Sequence, residues 1–201
     1  MAAETTAARE TPIVPLGTRN GIEMGILRRD AKTQGKIIAK PDSADLIEGV
    51  QIAPLTVYPD DRGFFTELAR LGEGLAAKMV PDGARQIQVS LTLTYPGTIK
   101  AIHYHSEQTD LWAPCSGMMQ VFLYDLRVRS KTFGAINTIF VGRFRPWEIL
   151  IPPGVAHGYK ALGLEPIQLV YITDRHYNPA DELRLPYDHP DIAYDWETQH
   201  K

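Results

Sequence analysis

Residues 97–110 read Gly97-Thr-Ile-Lys-Ala-Ile-His103-Tyr-His105-Ser-Glu-Gln-Thr-Asp110. Their apolar residues predict a β-strand, and residues two apart in a strand face the same side. His103 and His105 are therefore expected on one face, with Asp110 on the following strand. Further along, Pro152-Pro-Gly-Val-Ala-His157 supplies another histidine after a tight turn. These three histidines and one acid can meet inside a single barrel.

Short apolar runs recur from Leu46 onward, separated by Pro, Gly or Asp residues. Polar and apolar residues alternate strictly in residues 86–94, which is typical of a strand. A helix is predicted over Leu71–Met79, ending before Pro81. Strands are predicted near residues 49–53, 55–58, 85–94, 98–103, 118–126, 136–141, 148–151 and 167–173. About eight strands with little helix indicate an all-β sandwich or barrel.

Length, charge and composition exclude several classes of protein. A chain of 201 residues is long enough for one sizeable domain and a tail. The net charge of -3 and the lack of a Lys/Arg cluster argue against a nucleic-acid partner. The one cysteine, Cys115, excludes an intramolecular disulfide and favours a reducing compartment. Without a signal peptide or an apolar run of ~18 residues, we expect a cytoplasmic protein with no membrane partner.

The first 45 residues differ in composition from the rest of the chain, because they contain few large apolar side chains. We expect them to form a mobile or loosely packed arm. The predicted organisation is therefore a polar N-terminal arm at 1–45, a barrel at 46–178 and a C-terminal extension at 179–201.

The histidine-rich segment follows the pattern Gly-x5-His-x-His-x4-Asp-x6-Gly. This spacing resembles the first metal motif of cupins, with aspartate where glutamate is usual, and Pro152-x-Gly154-x2-His157 resembles the second. Histidines with one carboxylate suit Zn, Fe(II), Mn or Ni. Two alternatives stay open from these residues, a polar pocket without metal or one divalent metal ion. The ligands of such an ion would be His103, His105, Asp110 and His157.

A second series of motifs spans most of the chain. In order, the sequence contains Asp60-x-Arg-Gly-Phe-Phe-x-Glu67, His103-Tyr, Tyr124-Asp-Leu-Arg127, Thr132-Phe-Gly134, Ile151-Pro-Pro-Gly-Val-Ala-His157-Gly, Tyr171-x6-Asn178-Pro and Asp195-Trp196. From about residue 49 to 196 the chain resembles the dTDP-4-dehydrorhamnose 3,5-epimerase family. The resemblance implies an all-β cupin jelly-roll barrel, a nucleotide-sugar substrate, no cofactor, and a homodimer with swapped strands. The activity it implies serves deoxysugar or cell-surface polysaccharide synthesis.

The resemblance also implies roles for individual residues. His103 corresponds to the catalytic base, and Tyr171 to the acid on the opposite face of the sugar. Arg62, Phe65 and Glu67 correspond to a segment that reaches the substrate of a neighbouring subunit. The remaining substrate-binding positions implied in this way are Gln88, Ser90, Lys100, His157, Tyr177 and Glu182.

The chemistry suits these residue types. A 4-keto group acidifies the protons at C3 and C5 of a hexose, so that a base on one face can remove a proton. An acid on the other face then returns a proton and inverts the carbon. Histidine titrates near neutral pH, whereas tyrosine, with an ordinary pKa near ~10, stays protonated and can donate.

Departures from the family pattern keep other hypotheses open. Ser90 replaces an asparagine, Lys100 replaces an arginine, and Asp110 aligns with the lysine that faces the keto oxygen. The aspartate that pairs with the base is predicted to be missing, because the family places it in a C-terminal segment beyond Lys201. If a metal binds His103, the base must be another residue, with Tyr171 the candidate. The alternatives to an epimerase are therefore a metal-dependent cupin enzyme and a non-catalytic sugar-nucleotide-binding relative.

Overall fold

The computed structural model describes residues 12–80 and 86–198, in which β-strands dominate. The strands are β1 Ile13–Arg19, β2 Ile22–Leu27, β3 Lys36–Ile37, β4 Gln51–Pro54, β5 Val57–Asp60, β6 Gly63–Thr66, β7 Gln88–Thr94, β8 Ile99–Tyr104, β9 Asp110–Ser116, β10 Met118–Asp125, β11 Ile136–Gly142, β12 Trp147–Ile151, β13 Val155–Leu162, β14 Ile167–Thr173 and β15 Leu183–Arg184. A single 3₁₀ helix, Gly74–Met79, accompanies them in these residues. The predicted all-β class is confirmed.

Two sheets form the barrel. One has six strands in the order β15-β8-β13-β10-β11-β3, and the other has five in the order β4-β12-β9-β14-β7. Their pairings are antiparallel except between β11 and β3. Buried side chains from both sheets, including Val121, Leu123, Ile149 and Leu169, form one apolar cluster. Because this cluster fills part of the space between the sheets, it supports the walls of the pocket described below.

The alternation in residues 86–94 has an unexpected orientation. Its polar residues face inward, while Val89, Leu91 and Leu93 are exposed on the outer face of β7. β7 is an edge strand of the five-stranded sheet. The strand thus gives the barrel interior a polar wall and leaves an apolar face on the outside.

The expectation of a loosely packed segment up to residue 45 is wrong for residues 12–45. β1 and β2 form an antiparallel hairpin, and Met24 and Ile26 are buried in a cluster with Phe122 and Tyr124. β2 has few apolar residues, but Ile22, Met24 and Ile26 alternate and therefore lie on one face. That face packs against the barrel and anchors the hairpin to it. Residues 1–11 lie outside the described ranges. The domain division at residues 45 and 179 stays a prediction.

The helix prediction is corrected in its first residue. The segment is a 3₁₀ helix that begins at Gly74 rather than at Leu71. Gly72 and Gly74 have φ angles of 93° and 55°, which interrupt a right-handed helix. Pro81, the expected stop, lies outside the described residues. Within the described ranges, no helix has the length and apolar character needed to cross a membrane.

Candidate active site

A cavity of about 310 Å³ opens between the two sheets. This volume lies within the range of roughly 300–1,000 Å³ that is common for small-molecule sites. β8 and β13 of the six-stranded sheet supply one wall, and β7, β9 and β14 of the five-stranded sheet supply the other. The pocket brings together many predicted site residues, namely Gln88, Lys100, His103, His105, Asp110, His157, Tyr171, Tyr177 and Glu182.

His103 lies in β8 and pairs with a carboxylate. Its Nδ1 lies 2.5 Å from Oε1 of Glu182. Strand β15 positions this partner, because Arg184 of β15 is in register with His103 of β8. The hydrogen bond with His103 lowers the pKa of Glu182 to about 2, although burial alone would raise it. An ionised carboxylate on Nδ1 orients the ring and leaves Nε2 as the nitrogen available to a ligand.

This pair corrects one expectation. The base was predicted to lack a carboxylate partner, yet Glu182 provides one from the segment after β14. Glu182 was predicted to bind the substrate, and it lines the pocket while contacting His103. Its role in substrate binding stays a prediction. The contact joins residues 79 positions apart in the sequence and depends on a two-residue strand, so no local sequence motif predicts it.

Tyr171 lines the pocket from the opposite sheet. It lies in β14, with Ser90 of β7 and Trp112 of β9 as its cross-strand neighbours. Within residues 12–80 and 86–198, no hydrogen bond engages its phenol. The phenol is therefore available to donate a proton to a molecule in the pocket.

The polar face of β7 extends this wall. The Gln88 side chain donates to Oγ of Ser90 at 3.0 Å and accepts from the backbone N–H of Tyr177 at 3.0 Å. Lys100 reaches across from β8, and its Nζ donates to Oγ1 of Thr92 at 2.6 Å. The contact of Lys100 with Thr92 joins the two sheets at the pocket, and the ammonium group of Lys100 lies beside it.

His105, Asp110 and His157 form a buried group next to His103. One potential ligand atom from each residue lies within 4.8 Å of the other two. Burial lowers the pKa of His157 to about 4, with Asp110 acting in the opposite direction, so its imidazole is neutral at physiological pH. Of the four residues predicted as metal ligands, the structure gathers these three and separates His103, which pairs with Glu182.

Comparisons with known proteins identify the family. The family model described as dTDP-4-dehydrorhamnose 3,5-epimerase matches residues 45–201. The chain belongs to this family. It is 44% identical over 156 residues to the spore coat polysaccharide biosynthesis protein SpsL of Bacillus subtilis, covering 77% of this chain and 99% of that protein. It is 30% identical to the dTDP-4-dehydrorhamnose 3,5-epimerase of Methanothermobacter thermautotrophicus, covering 75% of this chain and 80% of that enzyme.

A solved structure agrees with this assignment. The epimerase RmlC of Legionella pneumophila, in complex with dTDP-4-keto-L-rhamnose, superposes with a TM-score of 0.65 at 25% identity, covering 85% of this chain and 84% of that one. The predicted family, the cupin jelly-roll fold and the isomerase class are therefore confirmed. The hairpin β1–β2 precedes the region matched by the epimerase family model.

Four residues predicted from the epimerase resemblance do not line the pocket. One is Ser90 of β7, which accepts a hydrogen bond from Gln88, and the other three lie in or next to the β5–β6 hairpin. Arg62 is at the tip of the β5–β6 hairpin, where its guanidinium pairs with Asp60 at 2.6 Å. Phe65 is exposed and packs on Tyr58 of the same hairpin, with ring centroids 6.2 Å apart. Glu67 pairs with Arg70. None of the three contributes to the pocket of its own chain.

Sequence reasoning missed Asp181, which is 5% exposed. Its carboxylate accepts hydrogen bonds from the N–H and the hydroxyl of Ser106 at 2.7 and 2.6 Å, and from the N–H groups of Glu107 and Gln108 at 3.1 and 3.2 Å. Its carbonyl accepts from Nδ1 of His105 at 2.8 Å. Asp181 thus fixes the loop between His105 and Asp110, and its chain neighbour Glu182 contacts His103. An aspartate shortly after Asn178-Pro179 was the available signal, but turns contain such residues for many reasons.

Proposed function

We propose that the protein inverts C3, C5 or both in a nucleotide-linked 4-keto-6-deoxyhexose, with His103 as base and Tyr171 as acid. The supporting observation is that a carboxylate-paired imidazole and a phenol line one pocket from opposite sheets. Inversion requires proton removal on one face of the ring and proton return on the other. A pocket with these two groups on facing walls is suited to that requirement.

The geometry of the proposed base supports the following proton transfers. Glu182 binds Nδ1 of His103, so Nε2 takes the proton from the carbon next to the keto group. The electron pair moves into an enolate, and Tyr171 then donates its phenolic proton to the opposite face. Epimerases of this family need no cofactor, and these two transfers use side chains alone.

A nucleotide-sugar substrate is supported by the ligand of a related structure and by the positive charge that lines the pocket. The Legionella relative was solved with dTDP-4-keto-L-rhamnose. In this chain, Lys100 and Arg184 line the pocket and supply the positive charge that a diphosphate needs. Lys100 replaces the arginine of the family at this position, and its single ammonium retains the charge without the planar fork.

Solvent deuterium exchange tests the proposal. We expect the purified protein, incubated in D₂O with dTDP-4-keto-6-deoxyglucose, to incorporate deuterium at C3, C5 or both, as read by mass spectrometry and NMR. His176→Ala is the matched control, because His176 is an exposed histidine outside the pocket, and it should exchange like the wild type. Exchange no higher than in the protein-free sample would refute the proposal.

We further propose a homodimer in which the β5–β6 hairpin of one subunit enters the pocket of the other. Within the described chain the hairpin pairs only with itself, and Tyr58, Phe64 and Phe65 are exposed on it. The apolar outer face of β7, with Val89 and Leu91 each 64% exposed, is a second surface suited to burial by a partner. In a dimer with twofold symmetry, one interface buries both the hairpin and the outer face of β7.

Complementation between variants tests the swapped arrangement. Arg62→Ala and His103→Ala each disable one component of a site. If Arg62 acts in the neighbouring subunit, a heterodimer of the two variants contains one intact site and regains exchange activity. A monomer by light scattering, or mixed dimers with no recovered activity, would contradict the arrangement.

A further inference from the structure

Proton transfer at His103 does not account for the buried group formed by His105, Asp110 and His157. The three residues are 5%, 5% and 4% exposed, and all of them line the pocket. Two imidazole rings and one carboxylate with ligand atoms within 4.8 Å of one another are an uncommon arrangement in a protein interior.

The tautomers of both histidines follow from their backbone contacts. Nδ1 of His105 lies 2.8 Å from the carbonyl of Asp181, and Nδ1 of His157 lies 3.0 Å from the carbonyl of Val155. A carbonyl oxygen only accepts, so each Nδ1 carries a hydrogen, and in the neutral form of each ring the lone pair is on Nε2. Histidines that bind metals usually donate their second ring N–H to such a carbonyl or carboxylate, which orients the ligating nitrogen.

The carboxylate of Asp110 is held in the same manner. Trp112 Nε1 donates to Oδ2 at 3.1 Å, and the Gln108 side chain donates to Oδ1 at 2.7 Å. Oδ2 faces Nε2 of His157 at 3.6 Å, which is beyond hydrogen-bond distance. Two ligands that each bind one ion at roughly 2.0–2.2 Å lie at about this separation. The amide of Gln108 also lies 3.3 Å from Nε2 of His105, so an ion has to displace that weak contact.

We propose that His105, Asp110 and His157 bind one divalent first-row transition-metal ion, and that His103 is not a ligand. Two imidazole nitrogens and one carboxylate oxygen suit Zn²⁺, Fe²⁺, Mn²⁺, Co²⁺ or Ni²⁺ rather than Mg²⁺ or Ca²⁺. All three residues line the pocket, so an ion bound by them would be accessible to a molecule in it. Glu182 spans the two sites, because Oε1 binds His103 while Oε2 lies 3.9 Å from Nε2 of His105.

Metal titration without substrate tests the proposal independently of epimerisation. Tag-free protein is stripped with a chelator and titrated with CoCl₂, with visible absorption and elemental analysis as readouts. We expect about one ion per chain, with the ligand-field bands of Co²⁺ bound by nitrogen and oxygen ligands. Wild-type protein that takes up no stoichiometric Co²⁺ or Zn²⁺ would overturn the proposal, whatever its activity on nucleotide sugars.

Variants define the ligand set. Asp110→Asn and His105→Gln should each weaken Co²⁺ binding by at least about tenfold. The matched controls are His103→Gln, next to the site, and His176→Gln, at the surface, and both should bind like the wild type. Thermal melts with and without Co²⁺ check folding, since the ion should raise the Tm of the wild type but not of Asp110→Asn. Equal affinity in Asp110→Asn, or loss of binding in His103→Gln, would contradict the assigned ligands.

Discussion

The two walls of the pocket differ in how their reacting side chains are held. On the six-stranded sheet, Glu182 binds His103 at 2.5 Å, and Asp181 anchors the neighbouring loop. On the five-stranded sheet, Tyr171 lines the pocket without a hydrogen bond to its phenol from any described residue. In the proposed mechanism, this difference means that the proton acceptor is oriented in advance, whereas the substrate aligns the proton donor. Substitutions on the first wall should therefore have larger effects on proton exchange and on stability than substitutions on the second wall.

The largest effect is expected for His103→Ala. Loss of the base should reduce deuterium exchange by a factor of about 10²–10⁴, the usual contribution of general base catalysis. Initial rates of exchange under saturating nucleotide sugar provide the measurement. Exchange at the wild-type rate would remove His103 from the mechanism and with it the contrast between the walls.

Asp181→Asn should have the largest effect on stability. Asparagine keeps the shape but loses the charge that four donors share, at a cost of roughly 2–4 kcal/mol in the free energy of unfolding at pH 7. Burial alone would raise the pKa of Asp181, but the hydrogen bonds from Ser106, Glu107 and Gln108 outweigh it and lower the pKa below its ordinary value. The wild type should therefore keep this stability above the ordinary pKa of an aspartate and lose it as the pH falls further. Urea denaturation from pH 7 to pH 3 should show the difference between the two proteins shrinking, and a difference independent of pH would contradict this origin.

Glu182→Gln should reduce kcat by roughly 10- to 100-fold, which corresponds to about 1.4–2.7 kcal/mol. The amide can still accept from Nδ1 of His103, but it cannot stabilise the charge that the ring gains on taking a proton. KM for the nucleotide sugar should change little, and Glu182→Asp should recover part of kcat. A variant with a raised KM and unchanged kcat would instead support the role in substrate binding that the family resemblance implied.

These contrasts show what the sequence could predict and what it could not. Alternation in residues 86–94 and 167–173 placed Gln88 and Tyr171 on strands, because period-two patterns are local. The same rule put His103 and His105 on one face. The contacts of Glu182 and Asp181 could not be predicted from the sequence, because they join segments more than 70 positions apart next to the short strand β15. The packing of residues 12–45 was missed because a few alternating apolar residues in β2 were outweighed by a polar composition.

The smallest effect is expected for Gln88→Ala on the second wall. Gln88 is half-buried and makes two neutral hydrogen bonds, with Ser90 and with the backbone of Tyr177. Its removal should lower the free energy of unfolding by less than about 1 kcal/mol. Urea denaturation of Gln88→Ala and Asp181→Asn under the same conditions makes the comparison. A loss of unfolding free energy in Gln88→Ala as large as that in Asp181→Asn would show that both walls are equally constrained.

The most direct test of base and acid on opposite walls is the behaviour of Tyr171→Phe in D₂O. Exchange and inversion are measured in one sample, deuterium by mass spectrometry and configuration by NMR. We predict that the variant still exchanges the proton removed by His103, returning deuterium to the same face, but forms little inverted sugar. Inversion at the wild-type rate in Tyr171→Phe would contradict the account, because the proton would then reach the opposite face without the phenol.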